Sequence, residues 1–143
     1  MWITKKFQEL ATSELYELYK LRVDVFVVEQ ACAYPEVDDL DLEALHGFKL
    51  QDGKLAAYYR LVPDEAEVHL GRVIVASEFR KGGLGRELVT EALKQAREHY
   101  PGLPVHAQAQ AYLEKFYASF GFEPISDVYL EDGIPHLDML LKK

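Results

Sequence analysis

The chain holds one cysteine, Cys32, among its 143 residues. No intrachain disulfide is therefore available, which suits a reducing compartment. Long hydrophobic runs are missing as well. Even the apolar stretch VDVFVV is broken by Asp24, far short of the roughly 18 residues that span a bilayer. The opening MWITKKFQELATSEL has neither the continuous apolar core nor the small-residue cleavage site of a secretory signal. These absences point to a cytoplasmic protein without membrane association. Basic residues are in deficit, with 16 Lys and Arg against 24 Asp and Glu for a net charge of −8. A surface so acidic repels phosphate backbones and argues against nucleic-acid binding. No repeat, low-complexity segment or Pro/Gly/Ser-rich linker divides the chain, so residues 1–143 read as one domain. What is present is a soluble, globular composition, 49% apolar and 28% charged. A chain of this length buries roughly 68–70% of the surface its unfolded form exposes.

Local patterns predict a mixed α/β order of strand, helix, three strands, helix, strand, helix and two strands. Trp2 to Phe7 alternates as a first strand. Thr12 or Ser13 caps a helix whose buried stripe is Leu15, Leu18, Leu21, Val25 and Val28. Gln30 to Leu45, with Glu36, Asp38, Asp39, Asp41 and Glu43, reads as an exposed loop or irregular helix. Asp52-Gly53 between HGFKLQ and KLAAYYRLV is a hairpin turn whose residues need positive φ. AEVHLGRVIV is a long strand ending in a buried run. A helix with the stripe Leu84, Leu88, Ala92 and Ala96 follows and is ended by PGLP. VHAQAQA is a strand, AYLEKFYASF a short helix stopped by Gly121, and FEPISDVYL with IPHLDMLL a last strand pair around Asp132-Gly133.

The most informative segment is Arg80-Lys81-Gly82-Gly83-Leu84-Gly85, set between a strand and a helix. Glycines let the backbone approach a ligand closely. The first N–H groups of the next helix have no internal partners and carry the positive dipole end. With the cations Arg80, Lys81 and Arg86 clustered there, the turn is suited to phosphate. Its spacing fits neither the dinucleotide fingerprint nor the Walker pattern.

Arg80-x-x-Gly83-x-Gly85 after LGRVIV resembles the Q/R-x-x-G-x-G/A signature of the GNAT superfamily of N-acetyltransferases. LRVDVFVVEQACAY, GRVIV, FYASFGF and EDGIPH are similar to its ElaA-like branch. The resemblance implies a mostly antiparallel sheet flanked by helices, splayed between the strands of Val75 and Val105 to open a CoA cleft. It implies acetyl transfer from acetyl-CoA to an amine, with the diphosphate held by the turn formed by Arg80, Lys81, Gly82, Gly83, Leu84, Gly85 and Arg86. Beside Arg72 to Val75, with Ile74 among them, the amides of Val73 and Val75 should bond the pantetheine arm.

Acyl transfer from a thioester needs a deprotonated amine, a polarised carbonyl and a protonated leaving thiolate. It demands no metal, and none is expected. Tyr117, in FYASFGF, is the candidate general acid by the resemblance, while its apolar stripe equally fits a core aromatic. His69 is a candidate base, placed by strand alternation on the face of Gly71, Val73 and Val75. Glu29, His136 and a water chain compete for that role, and His46 reads as structural.

The acceptor is a small-molecule or peptide amine. The acidic run from Glu36 to Glu43 either steers a cationic acceptor or simply faces water. Arg22, Arg60 and Arg72 are placed to grip a carboxylate, from the protein or from the acceptor. Two other functions fit the pattern: a non-catalytic acyl-CoA sensor, and a transferase with other acyl donors, since LRVDVFVVEQ also resembles the first helix of acyl-homoserine-lactone synthases. Seven Phe and nine Tyr leave room for a homodimer contact.

Overall fold

Local pattern and tertiary packing agree over most of the computed structural model, which describes residues 2–142. Strands β1 (Trp2–Lys6), β2 (Leu45–Gln51), β3 (Lys54–Pro63), β4 (Val68–Val75), β5 (Val105–Gln110), β6 (Glu123–Pro124), β7 (Tyr129–Glu131) and β8 (Ile134–Leu141) form one sheet. Its order is β1-β2-β3-β4-β5-β8-β6, with β7 also paired to β8. Every pairing is antiparallel except β4 with β5. The hairpin turns form as expected, with positive φ at Asp52 and Gly53 and at Asp132 and Gly133. The last expected strand pair is instead three strands, because the first of the two segments bends between Glu123–Pro124 and Tyr129–Glu131.

Helix α2 (Leu84–His99) covers one face of the sheet. The expected stripe of Leu84, Leu88, Ala92 and Ala96 is buried there, against Leu61, Val68 and Val105. Burying a Leu or Val side chain contributes about 1.5–3 kcal/mol, so this face is a main source of stability. Helix α1 (Thr12–Arg22) covers the other face through Leu18, which packs with Phe48, Tyr58 and Ile74. Its cap is not Thr12 or Ser13: Ala11 precedes the helix, and its N–H donates to the Glu14 carboxylate at 2.8 Å. The expected stripe also breaks. Val23–Glu29 winds as a π-helix, with the Gln30 N–H bonded to the Val25 carbonyl five residues back. That wider turn leaves Val25 buried and Val28 67% exposed. Helix α3 (Glu114–Ala118) is short and is followed by Gly121 at φ 101°.

The acidic run is in part the exposed loop or irregular helix that its composition predicts, with a 3-10 turn at Asp39–Leu42 and Asp39 and Glu43 facing solvent, but two of its carboxylates depart from it. Glu36 and Asp41 are among the most buried groups in the protein. Arg22, itself fully buried, donates from Nε to Glu36 at 2.6 Å and from Nη1 to Asp41 at 2.9 Å. Arg60 bonds Asp38 at 2.8 Å and Asp41 at 3.0 Å, and Arg72 bonds Glu36 at 2.9 Å. The three arginines therefore grip protein carboxylates, and the loop from residue 30 to 44 is pinned to the sheet by charge. A buried carboxylate is tolerated only when paired in this way.

His46 is structural, as expected. One ring nitrogen contacts the Tyr58 hydroxyl at 2.5 Å and the other the Asp41 carbonyl at 2.8 Å. Burial disfavours the imidazolium and lowers its pKa, against the raising effect of the Asp41 contacts. Below the ordinary histidine value of about 6.5, the unfolded chain takes up a proton that the folded chain refuses. This contribution to stability is thus present above that pH and lost as pH falls through it. Urea denaturation across pH 5–8 is expected to show that slope, and His46→Gln is expected to flatten it.

Candidate active site

The site begins with a backbone irregularity that strand alternation does not foresee. Arg60 pairs with Gly71 and Tyr58 with Ile74, so Arg72 and Val73 together oppose Tyr59. Arg72 takes φ 52°, a left-handed conformation that costs a non-glycine residue about 1–3 kcal/mol. Its guanidinium holds it there through Glu36 and lies over the Tyr34 ring at 5.6 Å. This β-bulge shifts the pleat by one residue. Val68 and Leu70 face α2 before it, and Val73 and Val75 face α2 after it. His69 consequently lies on the opposite face from Val73 and Val75, not on the same one.

The bulge also ends the strand pairing. β4 and β5 are paired only from Val68–Val105 to Leu70–Ala107 and then diverge. Between them opens a cleft of about 880 Å³, lined among others by Val73, Ile74, Val75, Gly85, Tyr117 and His136. The Ala76 N–H bonds the Ala56 carbonyl on β3 at 2.8 Å. Alternation from that point turns the N–H groups of Val73 and Val75 toward the unpaired edge, the orientation a linear ligand with amide carbonyls requires.

The glycine turn stands at the mouth of this cleft. Gly83 takes φ 75° and caps α2, and Leu84 is buried beneath it as an anchor. Positive φ is open to glycine at little cost. A Cβ added at Gly82 or Gly83 meets nothing within 4 Å, and one at Gly85 only the Phe116 ring at 3.9 Å. An exposed peptide surface thus adjoins the first-turn N–H groups of α2, which have no intrahelical acceptors. The surrounding cations are partly committed. Arg80 donates to the Val75 carbonyl at 2.9 Å and forks onto Glu29 at 2.6 and 2.9 Å. Arg86 donates to Ser119 and lies 4.5 Å over the Phe120 ring, while Lys81 is exposed. The peptide nitrogens and Lys81, more than Arg80, are free to meet an anion.

The candidate acid and bases differ in how they are held. Tyr117 is 5% exposed, edge-on to Phe116 and Phe122, and lines the cleft. Burial pushes its pKa up to about 12, so its proton stays on at neutral pH. Glu29 is clamped by Arg80, whose hydrogen bonds lower its pKa and weaken it as a base. His69 Nε2 faces Asp64 at 2.9 Å and Glu67 at 3.3 Å. His136 Nδ1 donates to the Ile134 carbonyl at 2.7 Å, which leaves the lone pair on Nε2. Among the described residues, His69 and His136 each keep one ring nitrogen without a partner and both line the cleft, whereas Glu29 is committed to Arg80.

Sequence reasoning missed His106. It is the register partner of His69, and the two rings stack with centroids 4.8 Å apart. The shared pattern of VHL at 68 and VHA at 105 is the signal that could have paired them. Gln108 donates to the Tyr129 hydroxyl, and that hydroxyl to Asp138, so this face of the cleft is a connected polar network.

Residues 20–143 match the model of the acetyltransferase (GNAT) domain. A UPF0039 protein of Schizosaccharomyces pombe is 44% identical over 144 residues, covering 99% of this chain and 96% of that one. An acyl-CoA N-acyltransferase from Pseudomonas aeruginosa superposes with a TM-score of 0.95 at 43% identity, covering 99% and 98% of the two chains. Escherichia coli ElaA superposes with a TM-score of 0.95 at 40% identity, covering 99% of each. On these matches, and on a fold with an open, mostly antiparallel sheet flanked by helices, the chain belongs to the GNAT acetyltransferase family.

Proposed function

We propose that the protein transfers an acetyl group from acetyl-CoA directly to a primary amine, acting in the cytoplasm. The observation that carries this reading is the open glycine turn at the N-terminus of α2, set at the mouth of a cleft between diverging strands. The turn fits a diphosphate, since Gly82 and Gly83 leave the space above the peptide plane empty. The bound thioester supplies the activated acyl group.

The residues of the chain do the rest. The N–H groups of Val73 and Val75 hold the pantetheine arm against the unpaired edge of β4. Donors fixed before the reaction polarise a developing oxyanion without reorganisation, a part that falls to backbone amides of the central strands. His136 Nε2 accepts the proton of the incoming amine. Tyr117 donates its phenolic proton to the departing sulfur. Holding both substrates in one cleft supplies much of the acceleration through proximity. The acceptor is drawn from amines that fit beside the carboxylates of Asp38, Glu131 and Asp132.

The test is thiol release from acetyl-CoA across a panel of small amines and peptide N-termini. Release that requires a particular amine supports transfer. Tight CoA binding with no release for any amine favours the sensor reading instead. Tyr117→Phe is expected to lower kcat about 100-fold, the scale of a lost general acid, while leaving CoA affinity unchanged by calorimetry. An unchanged kcat would return Tyr117 to the status of a core aromatic.

A further inference from the structure

We propose that Glu67, His69 and His106 form a binding site for one divalent transition-metal ion of the zinc type. Their ligand atoms all lie within 4.8 Å of one another. Glu67 Oε2 is hydrogen-bonded to His106 Nδ1 at 2.5 Å and lies 3.3 Å from His69 Nε2, whose own hydrogen bond goes to Asp64 Oδ2. Two ring nitrogens with two carboxylates gathered around them leave a place where one ion can enter, with the Glu67 carboxylate backing off to become the third ligand. Tetrahedral zinc at about 2.0–2.2 Å from its ligands sets them roughly 3.3 Å apart. The His69–Glu67 spacing already has that value, and rotation of the partly exposed Glu67 side chain opens the shorter one. Asp64 Oδ2, 2.9 Å from the same His69 nitrogen, is the fourth ligand in reach.

The scaffold is suited to the task. His69 and His106 are register partners on adjacent parallel strands, and one ring turns out of its stack with the other so that both lone pairs meet the ion. Ligands on strands are placed more firmly than ligands on loops. Asp64 is fixed in its turn by the N–H groups of Ala66 and Glu67, each at 2.8 Å.

A second, separate feature points the same way. A histidine bound to a metal through one nitrogen commonly turns its other N–H to a carboxylate, which orients the ring. Nε2 of His106 faces Asp138 Oδ1 at 3.6 Å, and Asp138 is itself held by the Tyr129 hydroxyl at 2.5 Å. Asp138 thus lies just outside hydrogen-bond distance behind the inner ligand. Imidazoles with carboxylates select zinc, cobalt or nickel over magnesium and calcium, which take oxygen ligands. The ion lies at the vertex where β4 and β5 part and staples the two strands there. It takes no part in the acyl transfer described above, so metal uptake and thioester chemistry are read independently.

The experiment uses the full, untagged chain after chelator treatment, titrated with cobalt(II) and followed by its d–d absorption, with zinc added in parallel thermal melts. One ion per chain, a strong tetrahedral cobalt spectrum and a zinc-dependent rise in Tm are expected, with no such rise for magnesium. Asp138→Asn is expected to weaken binding about 10–100-fold, and His69→Asn and His106→Asn at least as much. Glu67→Gln serves as the variant least disturbing to the strands, and its metal-free Tm checks that it folds. No saturable uptake, a weak six-coordinate cobalt spectrum, or uptake unchanged in the histidine variants would each overturn the proposal.

Discussion

Gly82→Glu is expected to abolish productive use of acetyl-CoA while leaving the fold intact. Gly82 does not have a positive φ, and a side chain there meets nothing within 4 Å, so the substitution carries no strain in the free protein. A glutamate also narrows the unfolded ensemble relative to glycine, worth about 0.4–1 kcal/mol in favour of folding. Tm should stay within a few degrees of the parent. In the proposed complex the same carboxylate stands where the turn's peptide nitrogens would meet a diphosphate. Juxtaposed like charges cost several kcal/mol, and about 2.7 kcal/mol already corresponds to 100-fold in affinity. kcat/KM is therefore expected to fall by at least that factor. A variant with parental kcat/KM would place the diphosphate elsewhere.

Arg22→Ala is expected to be the most destabilising single change, at about 3–5 kcal/mol, the scale of a broken buried ion pair. Arg22 is fully buried between the rings of Tyr19 and Tyr58, and it neutralises both Glu36 and Asp41. Asp41 already has one oxygen, Oδ2, sealed from solvent without a partner. Removing the guanidinium leaves Glu36 to Arg72 and Asp41 to Arg60, each buried carboxylate short of one partner. A domain of this kind has about 5–15 kcal/mol in total, so a third or more is at stake. Lysine should not rescue it, since a point charge cannot serve Glu36 and Asp41 from one planar fork. The loss should also reach the cleft. Glu36 holds Arg72 at φ 52°, and the bulge at Arg72 is what parts β4 from β5. Urea unfolding measures the first effect and CoA titration the second. A change below 1 kcal/mol would mean that Arg60 and Arg72 satisfy those carboxylates without Arg22.

How much could be inferred from sequence depended on how local the cause was. Asp52-Gly53, Asp132-Gly133 and the α2 stripe are decided by residues adjacent in sequence or on one helix face, and they form as expected. The glycine turn was legible for the same reason, because Gly83 both ends a loop and caps a helix. The bulge was not, since φ at Arg72 is set by Glu36, which lies 36 residues away. Acidic composition likewise misplaced Glu36 and Asp41, whose burial depends on Arg22, Arg60 and Arg72 arriving from a helix and two strands. The π-helix from Val23 to Glu29 follows from packing and carries no residue signature such as proline or glycine. His106 was missed because a histidine on a strand acquires meaning only beside its cross-strand partner.

The central claim is that the peptide nitrogens at the start of α2 receive a diphosphate. Calorimetric titration of CoA and of pantetheine, which lacks the phosphates, into the parent chain and Gly82→Glu tests it most directly. CoA should bind the parent far more tightly than pantetheine does, and the substitution should remove that advantage without altering pantetheine's own affinity. Equal CoA affinity in the two chains, or no CoA binding by the parent, would contradict the account.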